Sequence, residues 1–406
     1  MDKKMVPEVR FKGFTADWEQ RKLDKILSES LSPGTNGLKS NKLSVKLWGK
    51  GVVKKPEIYK GSSSTKYYKR HSGQIIYGKL DFLHGAFGII PAELNGYEST
   101  IDAPAFDVHG EFNSNFLLDI FVQKSFYLKK GIIANGSRKA KRINEETFLN
   151  MSVSLPKKRE QDKVNELIKK TSDLITLQQR QLDLYKKLKK GLLQKLFPKN
   201  GEKVPEVRFT NFHDDWEQLP FSKIGTNFSY GLNVSSKEYD GKNKYIRITD
   251  IDDSNHKLIE KNLTSPNANL EDIKDYQLKE NDLLFARTGA SVGKSYLYDN
   301  NDGKVFFAGF LIRMEINNKF DKNFVFQNTL TDKYQQFVKI TSQRSGQPGI
   351  NAKEYASFKI FISKSLNEQK MIGKLCFRLN NLINLQQDKL EELKFLKKYL
   401  LQNMFI

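Results

Sequence analysis

Two stretches of the chain carry apolar residues at three- and four-residue steps for far longer than an ordinary surface helix. The first runs from about Arg159 to Phe197 through Val164, Leu167, Ile168, Leu174, Ile175, Leu182, Tyr185, Leu188, Leu192 and Leu196. The second runs from about Glu368 to Met404 through Ile372, Leu375, Leu379, Leu382, Leu390, Leu393, Leu396 and Leu400. Such spacing predicts long amphipathic helices and, sustained this far, a coiled-coil seam. Pro156 and Pro198 bracket the first, as helix boundaries should. Gln178 and Gln386 occupy equivalent seam positions, each followed by a four-residue step to Leu182 or Leu390, a stutter common to both helices. The alternative is two independent helices, each packed on its own domain. Residues of about 20–155 and 218–362 lack this period. They carry short β-type runs such as Gln74–Tyr77, Lys244–Ile248 and Asp282–Phe285, punctuated by Gly, Asn, Asp and Ser.

The same order of features occurs twice. Val6-Pro7-Glu8-Val9-Arg10-Phe11 returns as Val204-Pro205-Glu206-Val207-Arg208-Phe209, and Trp18-Glu19-Gln20 as Trp216-Glu217-Gln218, both displaced by 198 positions (204 minus 6, 216 minus 18). Leu177-Gln178-Gln179 returns as Leu385-Gln386-Gln387, displaced by 208 (385 minus 177). Fixed edges around drifting middles predict a duplicated unit of edge, mixed α+β domain and long helix. A helix of that length extends roughly 58 Å. If the second packs antiparallel on the first, a pseudo-two-fold axis follows, with the two middle domains held apart. The expected segments are 1–157 (edge and first domain), 158–203 (long helix and linker), 204–364 (edge and second domain) and 365–406 (long helix).

Charge adds a partner class. Lys and Arg number 68 against 47 for Asp and Glu, a net +21, which favours polyanions and above all nucleic acid. Residues with the chemistry to meet DNA recur at matching places. In the first half they are Lys79 and the run Ser137, Arg138, Lys139, Lys141 and Arg142. In the second they are Arg287, Thr288 and Lys294, then Arg344, Ser345 and Gln347. Arg bonds guanine bidentately and Gln can do so with adenine. The second patch leads in both halves into an Ile-Asn pair, Ile143-Asn144 and Ile350-Asn351. The repeated edges and helix faces would offer two equivalent docking sites, with Trp18, Trp216, Tyr185, Leu192, Leu393 and Leu400 as candidate partner-binding residues.

Catalysis finds little support. Thr288–Ser295 approaches a phosphate-binding loop but has Thr288 where that motif requires Gly, and Tyr296–Tyr298 after it reads as strand. The five histidines show no metal-binding spacing, and Cys376 is the only cysteine, so neither a metal site nor a disulfide is expected. No apolar run is long enough to span a bilayer. A membrane partner is therefore not expected, and a reducing, cytoplasmic setting is. A nucleic-acid-binding NTPase or nuclease is the alternative reading.

The duplicated architecture, the paired Trp-Glu-Gln openings, Gly346–Asn351 and the Glu-Gln-led helices at 160 and 368 together resemble the specificity subunit of type I restriction–modification systems. The resemblance spans essentially the whole chain. It implies two target recognition domains, each reading half of a split double-stranded DNA sequence, separated by helices in an antiparallel coiled coil. It implies a non-catalytic chain without cofactors of its own. The expected partners are two modification subunits, which bind S-adenosylmethionine and methylate adenine, and restriction subunits, which use ATP and Mg²⁺. The first domain departs from the Gly-Gln form, carrying Ser137–Asn144 in its place.

Overall fold

A computed structural model describes residues 5–56, 62–132, 142–199, 201–343 and 346–406. The two predicted long helices are present, from Lys158 to Lys195 and from Leu366 to Asn403. Contacts group the chain into two compact units, Met1–Leu177 with Glu391–Ile406, and Gln178–Leu390, so each unit takes part of both long helices. Among the described residues, no helix is long and apolar enough to cross a membrane.

Each unit is built on one plan. In the first, the strand Glu19–Lys22 pairs antiparallel with Ser152–Leu155, the strand that leads into the first long helix. Beyond it lies a four-stranded antiparallel sheet, ordered Leu27–Ser30, Ala105–Val108, Ile75–Tyr77, Phe87–Ile89. In the second, Glu217–Pro220 pairs with Lys359–Ile362 just before the second long helix. Its sheet is ordered Gly225–Tyr230, Leu311–Ile316, Asp282–Ala286, Ser295–Leu297. The displacement between equivalent strand positions is 198 at Leu27 and Gly225 but already 208 at Gln74 and Asp282. The ten extra residues therefore lie between the first and second core strands. There the second unit has a paired Ser236–Glu238 and Thr264–Pro266, and the strand Asn243–Ile246, which pairs parallel with Lys304–Phe307. The first unit instead uses Pro33–Asn36, Lys66–Lys69 and Glu98–Ser99, plus the pair Leu43–Val45 and Val52–Lys54.

The helices are tied into both cores. In the first unit Val164 and Ile168, near the start of the first long helix, share a core with Leu400, Met404 and Phe405 at the end of the second. In the second unit Leu193, Leu196 and Phe197 share a core with Ile372 and Cys376. Start against end, in each unit, is antiparallel packing of the two helices, so the reading of each helix packed on its own domain alone does not hold. Midway, Gln386 donates its side-chain amide to Gln178 and, at 3.1 Å, to Gln181, joining the two seam glutamines picked out by the stutter.

The repeated edges act as anchors. Trp18 stacks at a tilt on Phe116, 5.7 Å between centroids, and Trp216 meets Phe324 at 5.4 Å. Phe405 packs on Phe116 at 5.0 Å and Phe197 on Phe324 at 5.3 Å, the same contact 208 positions apart. Burying such an aromatic contributes on the order of 1.5–3 kcal/mol. Arg10 clasps Glu160 bidentately at 2.7 and 2.8 Å, and Arg208 clasps Glu368 at 2.7 and 3.0 Å. Both carboxylates are almost wholly enclosed, so the arginines are what make their burial tolerable. Next to them, Gln161 and Gln369 each accept the N–H that opens a short helix (Asn113, Asp321) and donate back to the Pro156 or Ser363 carbonyl.

Candidate nucleic-acid interface

The two recurrent patches, distant in sequence, meet in each unit through one backbone hydrogen bond. The Ile143 N–H donates to the Lys79 carbonyl at 3.2 Å, and the Ile350 N–H donates to the Arg287 carbonyl at 2.9 Å. Ile143 and Ile350 are core residues, while Asn144 and Asn351 cap the short helices Glu145–Leu149 and Ala352–Ser357. The shared Ile-Asn pair is thus a hinge: the Ile plugs the core and the Asn starts a helix. A second matching bond runs from the Lys79 N–H to the Asp102 carbonyl (2.9 Å) and from the Arg287 N–H to the Phe310 carbonyl (3.0 Å).

In the second unit the junction is closed further by the Gly289 N–H, which donates to the Pro348 carbonyl at 3.0 Å, and by a bridge between Thr288 and Gly349. The Arg287 guanidinium lies over the Tyr230 ring, 4.6 Å from its centroid. Tyr230 also accepts a 3.3 Å bond from the Ala352 N–H, so it braces both loops. Gln347 is exposed beside them and Thr288 is half-buried. Phe310, 64% exposed, stands on the turn next to Arg287. The resulting surface offers a guanidinium fixed on an aromatic face, an amide side chain and an exposed ring, groups suited to base edges and stacking.

Two of the expected cations are engaged within the protein. Lys79 is buried with its ammonium 2.5 Å from Glu145. Lys294 bonds the Ile251 carbonyl at 3.0 Å and pairs with Asp253 at 2.5 Å. Arg142 is exposed and 3.5 Å from Asp102. Ser137, Arg138, Lys139, Lys141, Arg344 and Ser345 lie outside the described residues. Tyr230 and Phe310 carried no local signal, since only long-range pairing brings them to Arg287.

Residues 287–294 join two antiparallel strands, Asp282–Ala286 and Ser295–Leu297, so the segment opens no helix and is not a nucleotide-binding loop. The Gly293 N–H is already taken by the Tyr355 hydroxyl at 3.1 Å. Among the described residues no group of His, Cys, Asp and Glu has the geometry to hold a metal ion.

The expected partner-binding residues divide. Trp18, Trp216 and Leu400 are buried at 3%, 2% and 7% exposure, so their side chains hold the cores and leave no surface for a partner. Tyr185, Leu192 and Leu393 are half-buried. Among the exposed apolar positions of the helices, some repeat: Leu174, Leu177 and Leu396 in the first unit match Leu382, Leu385 and Leu188 in the second, each pair 208 apart.

Comparisons with known proteins point to one family. The model of the type I restriction modification DNA specificity domain matches residues 222–394. The type I restriction enzyme MjaVIII specificity subunit of Methanocaldococcus jannaschii is 20% identical over 306 residues, covering 71% of this chain and 69% of that one. A type I restriction–modification S subunit from M. genitalium superposes over 99% of both chains, with a TM-score of 0.64 at 16% identity. Residues 222–394 thus match the type I specificity domain, and the fold of the chain is that of a type I S subunit. A second solved structure, described as concerning complex assembly and conformational transition of the type I system, covers 96% of this chain and 97% of its own, with a TM-score of 0.52 and 14% identity. Specificity subunits are non-catalytic, and the fold shared here is theirs. The family match covers most of the second unit, and the same strand order and backbone bonds recur in the first.

Proposed function

We propose that this chain is a type I specificity subunit that reads a bipartite double-stranded DNA target, one half with each unit, and scaffolds modification and restriction subunits. The observation that carries this reading is the recurrent bond, Ile143 to Lys79 and Ile350 to Arg287, which joins the two recurrent segments at the same place in both units. Shared geometry beneath divergent loops suits two readers of different short sequences. In the second half, Arg287 and Gln347 supply direct readout, with Phe310 and Tyr230 supporting them. In the first, Arg142 and the adjoining basic run do so. S-adenosylmethionine, ATP and Mg²⁺ belong to the partner subunits in this reading, and the complex works in the cytoplasm.

The repeated leucine positions support two equivalent docking surfaces, one for each of two modification subunits. Leu174, Leu177 and Leu396 have the same exposure pattern as Leu382, Leu385 and Leu188, and exposed apolar clusters of this kind mark surfaces that meet partners.

The test is binding of the assembled complex to DNA with either half-site scrambled. Gln347→Ala should weaken binding by roughly 1–3 kcal/mol for each base it no longer bonds, and only when the second half-site is intact. Equal weakening on both half-scrambled duplexes, or none on either, would remove Gln347 from direct readout.

A further inference from the structure

Each unit contains a cleft of similar size at the same place in the repeat. In the second unit a cleft of about 760 Å³ opens between the last turns of the first long helix and the N-terminal end of the helix Asp332–Thr341. Lys186, Lys189, Lys190 and Gln194 line it. In the first unit a cleft of about 700 Å³ opens between the last turns of the second long helix and the N-terminal end of the helix Lys124–Gly131. Lys394, Lys397, Lys398 and Gln402 line that one. Every one of these four positions matches its counterpart at a displacement of 208 (394 minus 186, 397 minus 189, 398 minus 190, 402 minus 194). We propose that each cleft receives an acidic segment of a partner protein, one cleft for each partner copy, an inference that rests on the scaffolding role proposed above.

Lys394 pairs with Glu391 at 2.9 Å, but the half-buried lysines at the centre of each cleft are poorly matched from within. Lys189 and Lys397 are half-buried, flanked by exposed lysines on the same helix. Burial lowers the Lys189 pKa, the sign of an ammonium lacking a close counter-charge. In the second unit the lining carboxylates are already engaged: Glu206 holds Lys195 and Lys199, and Asp332 accepts from Gln194 at 3.2 Å. In the first unit Lys124 stands in the place of Asp332, and the described lining holds no carboxylate. Asp119, near Lys397, has its carboxyl pushed up to about 7 by burial and offers only a partial counter-charge. Gln123 at the mouth gives its helix no side-chain cap, and its buried Nε2 has no partner.

Two features favour protein over DNA as the occupant. The helix Asp332–Thr341 has the cleft at its N-terminal end and the reading loop after its C-terminal end, roughly 15 Å away along ten residues. Each lysine triplet also encloses an exposed leucine, Leu188 or Leu396, from the proposed docking surface. A face alternating cationic and apolar residues complements an amphipathic segment with acidic flanks, whereas a phosphate backbone would leave the leucine unused.

The test uses the full chain co-expressed with the modification subunit of its own system, with partner copies counted by native mass spectrometry at about 0.1 M salt, where the Debye length is about 10 Å. Wild type should carry two copies. Lys186→Glu/Lys189→Glu/Lys190→Glu should carry one, Lys394→Glu/Lys397→Glu/Lys398→Glu one, and the six-fold variant none. The matching Lys→Arg variants should keep two, and unfolding temperatures should match wild type. Two copies on the six-fold Glu variant would overturn the inference and leave the scaffolding role standing. Loss of DNA affinity with partner count unchanged would also overturn it, assigning the clefts to the phosphate backbone. No partner on wild type would overturn both.

Discussion

The two units keep the same hydrogen bonds in their frames and differ in much of what those bonds support. Arg10–Glu160 and Arg208–Glu368, Gln161 and Gln369, and the Ile143 and Ile350 hinge bonds recur with matching geometry. Beside these bonds the first unit has Asp102 where the second has Phe310, and in sequence it carries a run of basic residues where the second has the segment around Gln347. The anchor satisfies buried charge, so change there is costly, whereas Gln347 and Phe310 are exposed. If each unit reads one half-site as proposed, a repeat of this kind would let target specificity change one half at a time.

The largest expected effect is at the anchor, where the copies also differ in detail. Glu368 accepts from Trp216 at 3.1 Å and Ser363 at 2.5 Å in addition to Arg208, while the Trp18 indole N–H has no partner. Glu368→Ala should therefore cost on the order of 3–5 kcal/mol by stranding a buried guanidinium. Glu160→Ala should cost less, because it orphans fewer donors. Chemical denaturation of the two variants ranks them, and equal destabilisation would remove the extra donors from the explanation.

A smaller difference is expected at the equivalent glycines. Gly85 and Gly293 both have positive φ, 60° and 87°. A Cβ at Gly293 would lie 2.5 Å from Val338, whereas one at Gly85 would meet Tyr127 at 3.2 Å. Gly85→Ala should cost about 1–2 kcal/mol, the usual left-handed penalty. Gly293→Ala should cost more, with an added packing penalty, and a smaller cost at Gly293 would break the comparison.

The smallest effect is one of pH. Gln74 and Asp282 occupy equivalent positions and make the same turn, each accepting at 2.8 Å from the N–H three residues earlier, His71 or Lys279. Burial pushes the Asp282 carboxyl up to about 6, against the help of the Lys279 N–H and Arg313. A folded pKa raised above the unfolded value of about 3.9 means the native state binds the proton more tightly. Its stabilising contribution is full below about pH 4 and is lost as pH rises through 6. Asp282→Gln, copying the first unit, should flatten that fall. Unfolding curves at pH 4, 5, 6 and 7 check it, and an unchanged slope would place the titration elsewhere.

The repeat and both long helices are legible in sequence because periodicity and self-similarity are written locally. Periodicity places the first helix over 159–197, and it spans 158–195; Gln178 and Gln386 do meet. Roles set by distant partners are not legible. Lys79 and Lys294 read as free cations in one dimension, yet Glu145 and Asp253 stand beside them in the fold. Trp18 and Trp216 repeat because the cores need them, which a one-dimensional match cannot tell from a docking residue. The Val9 N–H donates to the Asn403 carbonyl at 2.9 Å, drawing the N-terminal edge onto the end of the second long helix within the first unit. That bond follows directly from the antiparallel expectation.

The central claim, that one chain reads two separate half-sites, is tested most directly by sequencing methylated DNA from cells expressing this chain with its modification subunit. The account predicts methyl-adenine confined to a single split motif, two short defined halves around a spacer of fixed length and free sequence. Methylation at one contiguous motif, or at no defined motif, would contradict it.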